Sequence, residues 1–217
     1  MPARPKRLTW DDLPEAGLLL VLGHPGTGKT ATAWWLAERL HTERKRPILG
    51  YGLPDSAYRR LPRWVKKAAT VADIARAQPS VIVADEAAFS VNARRAMSAD
   101  NVEWMKLAAV ARHKDHLCLF ICQESHQLDV ALVRAAKLVL FKQPSILDVR
   151  GARPELRPEV QAAFEAFAKA RGDKRQYVFA ADYLEGRTGW LESGLPRFWS
   201  ERLSKSFAAV DLDGRAA

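Results

Sequence analysis

The stretch Gly23-His24-Pro25-Gly26-Thr27-Gly28-Lys29-Thr30 decides the fold. It fits the pattern G-x-x-x-x-G-K-[ST], directly after an apolar run, Gly17–Leu22, and directly before a helical pattern, Thr30–His41. The chemistry explains the residue types. Gly23, Gly26 and Gly28 let the backbone curl so that successive N–H groups converge on phosphate oxygens. The helix that begins near Lys29 turns its positive end toward the same point. In this reading residues 23–31, from Gly23 through His24, Pro25 and Thr27 to Ala31, wrap the phosphates of ATP. Lys29 reaches the β- and γ-phosphates, and the Thr30 hydroxyl sits on Mg²⁺.

Outward from that loop, short apolar runs alternate with helical patterns. Strands are expected at Gly17–Leu22, Ile48–Tyr51, Val81–Ala84, Leu117–Cys122 and Leu138–Lys142, each nearly continuous in hydrophobicity. Such runs suit strands buried on both faces, so an α/β fold with a mainly parallel central sheet flanked by helices is expected. Helices are expected at Thr30–His41, Asn101–Arg112 and Val130–Ala136. A further one carries Val160, Ala163, Phe164, Phe167 and Ala168 and stops at Gly172. Tyr177–Phe179 reads as an edge strand, the chain after Gly186 as irregular and the last ten residues as frayed. The division expected is a basic lead-in over 1–16, an ATPase core over 17–145 and a small C-terminal extension over 146–217.

A second piece of chemistry follows the third apolar run. Val81-Ile82-Val83-Ala84-Asp85-Glu86 is a buried strand that ends in two carboxylates. Mg²⁺ is a hard cation that keeps several waters, so the single carboxylate of Asp85 suffices to hold it beside Thr30. Side chains alternate along a strand, which leaves Glu86 free to polarise a water for attack on the γ-phosphate. Gln123 closes the run Leu117–Cys122 where strands of such sheets end over the nucleotide, a position from which it would contact the attacking water or the γ-phosphate. Cys118 and Cys122 share a face at even spacing and are expected in the core. With His113 and His116 nearby a zinc site can be imagined, but Cys-x3-Cys on a strand does not converge as zinc-ribbon loops do.

Composition bounds the rest. The chain has 217 residues, 34 Lys+Arg against 25 Asp+Glu and a formal charge of +9. That length fits one ordinary domain with at most a small appendage. Two cysteines exclude a disulfide framework and point to a reducing compartment. The longest apolar runs fall far short of the roughly 20 residues of a membrane span. Asp11, Asp12 and Pro14 stand where a signal peptide would carry its apolar stretch. A cytoplasmic protein with no membrane span of its own is expected, with a polyanionic partner. Residues 41–70 concentrate the charge: eight basic residues face Glu43 and Asp55, a net of +6.

With the run Ala111-Arg112-His113-Lys114-Asp115-His116-Leu117 leading to Ile121-Cys122-Gln123, the order of pieces resembles the FtsK/HerA superfamily of RecA-like motor ATPases. It is most similar to the genome-packaging ATPases of tailless icosahedral double-stranded DNA viruses with internal membranes. The resemblance covers about residues 15–145. This chain carries Arg-His-Lys at 112–114 where cellular members often have Gly-Arg-Lys, and Glu124-Ser125 where they have Gln-Arg-Pro. The resemblance implies a RecA-like P-loop NTPase fold with ATP and Mg²⁺ as cofactors. It further implies a homo-oligomeric ring, expected to be a hexamer, that threads double-stranded DNA and packs a viral genome into a preformed capsid. Such a motor works in the host cytoplasm or on the virion, and a capsid vertex or viral membrane proteins are its expected partners, with the last 60 residues the place for docking.

In such rings an arginine from the neighbouring subunit acts on the γ-phosphate; Arg112 fits by position, with Arg150 and Arg134 next. Arg59, Arg60, Arg63, Lys66 and Lys67 of the basic stretch, together with Arg94 and Arg95, would grip DNA phosphates without reading sequence. Trp34 and Trp35 are expected in the core or at subunit contacts, and Trp10 against the adenine. Two alternatives remain at this point. A helicase-loader-like AAA+ ATPase would require a C-terminal helical lid, where Gln176–Phe179 instead returns to a strand pattern. A nucleotide-dependent assembly or scaffold protein would bind ATP with little hydrolysis.

Overall fold

The computed structural model describes residues 8–85, 105–122 and 130–208. Eight strands form one sheet: β1 (Gly17–Leu22), β2 (Ile48–Tyr51), β3 (Val65–Ala68), β4 (Val81–Asp85), β5 (Leu117–Ile121), β6 (Ala136–Phe141), β7 (Tyr177–Asp182) and β8 (Arg187–Glu192). Their order is β3-β2-β4-β5-β1-β6-β7-β8. β1 to β6 run parallel, and β7 and β8 add an antiparallel pair beyond β6. Among the described residues the α-helices are α1 (Lys29–Arg44), α2 (Asp55–Tyr58), α3 (Val71–Arg76), α4 (105–113), α5 (Val130–Ala135), α6 (Ile146–Gly151), α7 (Arg157–Lys169) and α8 (Glu201–Ala208). One strand, β5, separates the loop-bearing β1 from the acidic β4. That insertion marks the RecA-like class of P-loop NTPases.

The continuous hydrophobicity of the central strands is explained by burial on both sides. Leu18, Leu20 and Leu22 of β1 face one cluster with Ile82, Ala84, Cys118, Phe120 and Val139, covered by α3, α4, α5 and α7. Leu19 and Val21 face the other with Val81, Val83, Leu117, Leu119 and Leu140, covered by α1, α2 and α8. Every side chain of β1 is buried, and each such leucine is worth about 1.5–3 kcal/mol. Cys118 and Cys122 pack in the first cluster, and burial pushes the Cys118 thiol up to about 12. The lead-in packs on the second cluster through Leu8 and Leu13, and Arg187 bridges its Asp12 at 3.0 Å to Asp182 at 2.9 Å.

The C-terminal part corrects two expectations. β7 is not an edge strand: it lies between β6 and β8, and Arg187–Glu192, expected to be irregular, forms the edge. The reason is a tight reversal in which Asp182 Oδ1 accepts from the N–H groups of Leu184 and Glu185, and Gly186 takes φ 62°. Glu201–Ala208, also within the segment read as irregular, is helical and buries Leu203 and Phe207. At the opposite edge β3 forms from Val65-Lys66-Lys67-Ala68, with both lysines exposed; exposed lysines on an edge strand discourage pairing with a further strand.

The N-terminal ends of the strands are held by two polar side chains. The Arg46 guanidinium donates to the carbonyls of Glu15, Ser80 and Asp115. His116 is buried; Ser80 N–H donates to its Nδ1 at 3.0 Å, so its Nε2–H donates to the Ile74 carbonyl at 2.9 Å. Burial holds its pKa below the ordinary 6.5 against the raising effect of the Ile74 bond, and the nearby Arg46 charge adds to the lowering. The native state therefore binds fewer protons than the unfolded chain below about pH 6.5, and stability on this group's account falls as pH drops through that window. The melting midpoint of wild type is expected to fall more between pH 7.5 and 5.5 than that of His116→Phe; equal slopes would place the acid sensitivity elsewhere.

Candidate nucleotide site

Strand register builds the site. Val21 pairs with Ile121, which pairs with Asp85, so the end of β4 stands level with the end of β1. Beyond them Cys122 N–H donates to the Val21 carbonyl at 3.0 Å, and Lys142 N–H to the Leu22 carbonyl at 2.7 Å. The loop 23–28 leaves β1 at this level. Gly23, Gly26 and Gly28 take φ of 146°, 79° and 89°, conformations that side-chain-bearing residues rarely adopt. Gly28 is the left-handed N-cap of α1, and its carbonyl accepts from Thr32 N–H at 2.9 Å. Gly23 is constrained a second way: a Cβ there would lie 2.9 Å from Lys142 Cβ and 3.0 Å from the Lys142 carbonyl.

Within the loop Lys29 Nζ donates to the carbonyls of Gly23 at 2.7 Å and His24 at 3.0 Å, and Thr27 Oγ1 to that of His24 at 2.7 Å. Lys29 and Asp85 are both buried. Thr30 Oγ1 donates to Asp85 Oδ2 at 3.4 Å across 55 residues of sequence. This hydroxyl and carboxylate form a hard oxygen pair with room for water on its open side, a donor set that fits Mg²⁺. Among the described residues no group of three or more His, Cys, Asp and Glu side chains could hold a metal, and His116 is committed to Ser80 and Ile74.

The loop opens on a cleft of about 900 Å³, ample for a nucleoside triphosphate. Pro25, Gly26, Gly28, Lys29, Thr30, Ala31 and Asp85 line one end. The C-terminal third supplies the rest: the turn Asp173, Arg175 and Gln176 before β7, which borders Gly28, Ser193 to Leu195 after β8, and an aromatic end with Trp199 and Phe207. Trp199 stacks on Phe207 at 5.9 Å and Phe207 on Trp34 at 6.2 Å, so aromatic rings back that end. Sequence reasoning missed this wall. Its one signal was the amphipathic spacing of Leu203, Ser206 and Phe207 among charged residues.

Other expected residues fall elsewhere. Glu86, Gln123, Arg94 and Arg95 lie outside the described residues. Arg112 is exposed near the end of α4, on the side where β5 begins, and does not line this chain's cleft. Arg150 is exposed on α6, whose Asp148 stands 3.8 Å from His24 of the loop; Arg134 is 3.4 Å from Glu155. Arg59, Arg60, Arg63, Lys66 and Lys67 are exposed around β3 at the far edge of the sheet, and Lys67 pairs with Asp55 at 2.6 Å. Trp64 in that stretch turns inward, stacked on His41 at 4.4 Å. Trp34 is buried, as expected. Trp10 does not line the cleft: its Nε1–H donates to the Glu192 carbonyl at 2.6 Å and its ring meets Trp35 edge-on at 5.2 Å.

Fold and loop together define a P-loop nucleoside triphosphatase. A sequence model of the ATPase family associated with various cellular activities (AAA) matches residues 19–143, and the chain belongs to that family. Among curated proteins none matches this sequence. Solved structures similar in fold include the genome packaging NTPase B204 from Sulfolobus turreted icosahedral virus 2 in complex with ATP-gammaS. It shows 12% identity and a TM-score of 0.61 over 85% of this chain and 100% of that one. The complex of B204 with AMP is similar at 11% identity and a TM-score of 0.59, over 84% and 100%. The DNA-packaging ATPase B204 from Sulfolobus Turreted Icosahedral Virus is similar at 10% and 0.59, over 82% and 98%.

Gly23→Ala tests the loop geometry. Strain at φ 146° and the collision with Lys142 are expected to destabilise the fold by on the order of 2 kcal/mol and to weaken nucleotide binding sharply. Thermal melting and titration with a fluorescent ATP analogue measure the two; unchanged values for both would show that the loop and β6 do not approach closely.

Proposed function

We propose that this protein is an ATP-hydrolysing motor that translocates double-stranded DNA and packs a viral genome. The observation that carries the reading is the pairing of Thr30 and Asp85 beside the glycine loop, within a fold like that of a packaging NTPase over more than four fifths of the chain. In this proposal residues 23–31 bind the triphosphate, and Lys29 exchanges its bonds to the Gly23 and His24 carbonyls for the β- and γ-phosphates. Thr30 and Asp85 would hold Mg²⁺ together with waters, and the ion would supply charge neutralisation at the phosphates. Glu86, next in sequence to Asp85, accepts a proton from the attacking water, and Gln123 orients that water or senses the γ-phosphate. The aromatic end of the cleft, with Trp199 and Phe207, takes the base.

The ring, expected to be hexameric, would place Arg112 or Arg150 of one subunit at the nucleotide of the next. DNA would meet clustered cations such as those around β3. The helicase-loader alternative would need a separate helical lid after the core; here α6 and α7 are followed by β7 and β8, which extend the sheet.

ATPase activity is expected to rise several-fold with long double-stranded DNA at low salt and to lose that stimulation as salt is added. No stimulation at low salt would sink the motor reading. Lys29→Ala should abolish nucleotide binding. Glu86→Gln should bind as wild type while turnover falls by about 10²-fold or more; a Glu86→Gln protein of undiminished turnover would remove that residue from catalysis.

A further inference from the structure

The turn that leads from α7 into β7 lies against the phosphate-binding loop. A Cβ on Gly28 would stand 3.8 Å from Arg175 Cβ and 3.9 Å from the Arg175 carbonyl oxygen. Gly28 is the residue from which α1 starts, so the root of Arg175 borders the point where backbone N–H groups gather. That root is fixed. Lys142 Nζ donates to the Arg175 carbonyl at 2.6 Å and to the Tyr177 carbonyl at 2.8 Å. The head is not buried: the Arg175 side chain is 70% exposed. Its guanidinium forks onto Asp173, with Nε 3.0 and 3.2 Å from the two carboxylate oxygens and one terminal nitrogen 3.0 Å from Oδ2. Asp173 and Arg175 both line the cleft that Gly28 and Lys29 line.

We propose that Arg175 is a nucleotide-binding residue supplied by the same chain, whose guanidinium exchanges the Asp173 carboxylate for the phosphates of the bound nucleotide. The inference rests on reading the cleft as a nucleotide site, and it adds a cation that the loop motif does not contain. A triphosphate carries more charge than one carboxylate and offers the same forked acceptor geometry, so the exchange runs toward the nucleotide. The backbone does not have to move. Asp173 Oδ1 also accepts from the Arg175 backbone N–H at 3.0 Å, and that bond keeps the turn closed when the side chain leaves. Asp173 thereby opposes binding only through the arginine: it holds the guanidinium in competition with the phosphates.

Titration of the full-length chain with ribose-labelled fluorescent ATP and ADP tests this. Arg175→Ala is expected to weaken both about tenfold, with Arg175→Lys, which keeps the charge without the fork, in between. Asp173→Asn is expected to tighten binding several-fold, and Arg175→Ala combined with Asp173→Asn to bind as weakly as Arg175→Ala alone, because Asp173 acts through the arginine. Melting midpoints without nucleotide should stay near wild type for all of these variants. A wild-type affinity in Arg175→Ala, or an Asp173→Asn protein that binds more weakly, overturns the proposal and leaves the nucleotide site standing. A wild-type chain that binds neither ATP nor ADP overturns both.

Discussion

The ends of β1, β4, β5 and β6 stand at one level, and the closeness of their approach there governs the site. Lys142, the residue that follows β6, comes so near the loop that Gly23 has no room for a Cβ, and its own side chain is fully buried. A lone buried ammonium is unfavourable unless it is hydrogen-bonded. Here the Arg175 and Tyr177 carbonyls accept from it at 2.6 and 2.8 Å, with Ser193 Oγ at 3.4 Å. Burial still draws its pKa down to about 8, against the raising effect of Asp173. Its three partners come from the turn before β7, the start of β7 and the residue after β8. One side chain thus joins the level of the phosphate loop to the antiparallel pair that extends the sheet.

That linkage makes the C-terminal third part of the cleft. Thr32 of α1 lies 3.4 Å from Ser193, and a Cβ on Gly194 would collide with the Trp35 indole at 2.9 Å. α8 then returns across α1 to α2, where Ser56 Oγ donates to the Ser206 carbonyl at 3.2 Å. The AAA match ends at residue 143, whereas the likeness in fold to B204 spans 84–85% of the chain. The likeness therefore extends past the matched core, and the fold of the packaging NTPase accounts for more of this chain than the family match does.

What could be read from the sequence was what short-range pattern determines. The five apolar runs became strands within two residues of their expected bounds, because double burial leaves no alternation to misread. The loop 23–28 was legible because glycine spacing and Lys29-Thr30 are local, and Asp85 because it closes an apolar run. β3 was hidden in a basic stretch, since an edge strand that keeps its lysines in water carries little hydrophobic signal. β8 was hidden because one half-buried face shows in its sequence only as Gly189 and Leu191 between Thr188, Trp190 and Glu192. The aromatic wall of the cleft joins residues about 170 positions apart, and no local periodicity reports such a contact. Trp10 failed for the same reason: its partners, Trp35 and Glu192, are distant in sequence.

The structure also redistributes the positive charge. Of the eight cations in residues 41–70, Arg46 clamps three carbonyls at the strand starts, Arg44 reaches Glu15 at 2.8 Å and Lys67 pairs with Asp55. Elsewhere Arg187 locks the lead-in to β7 and Lys142 sits inside. These cations contribute to net charge but are engaged within the fold. A polyanion would meet the exposed ones, and around β3 those are Arg59, Arg63 and Lys66, with Arg60, which donates to the Ser56 carbonyl at 2.8 Å, beside them. They lie at the far edge of the sheet, across β2, β4 and β5 from the loop strand β1. A grip on DNA there would be mechanically separate from phosphate binding. The coupling would then have to run through β4, which pairs with β2 on the side of the basic edge and carries Asp85 at its end.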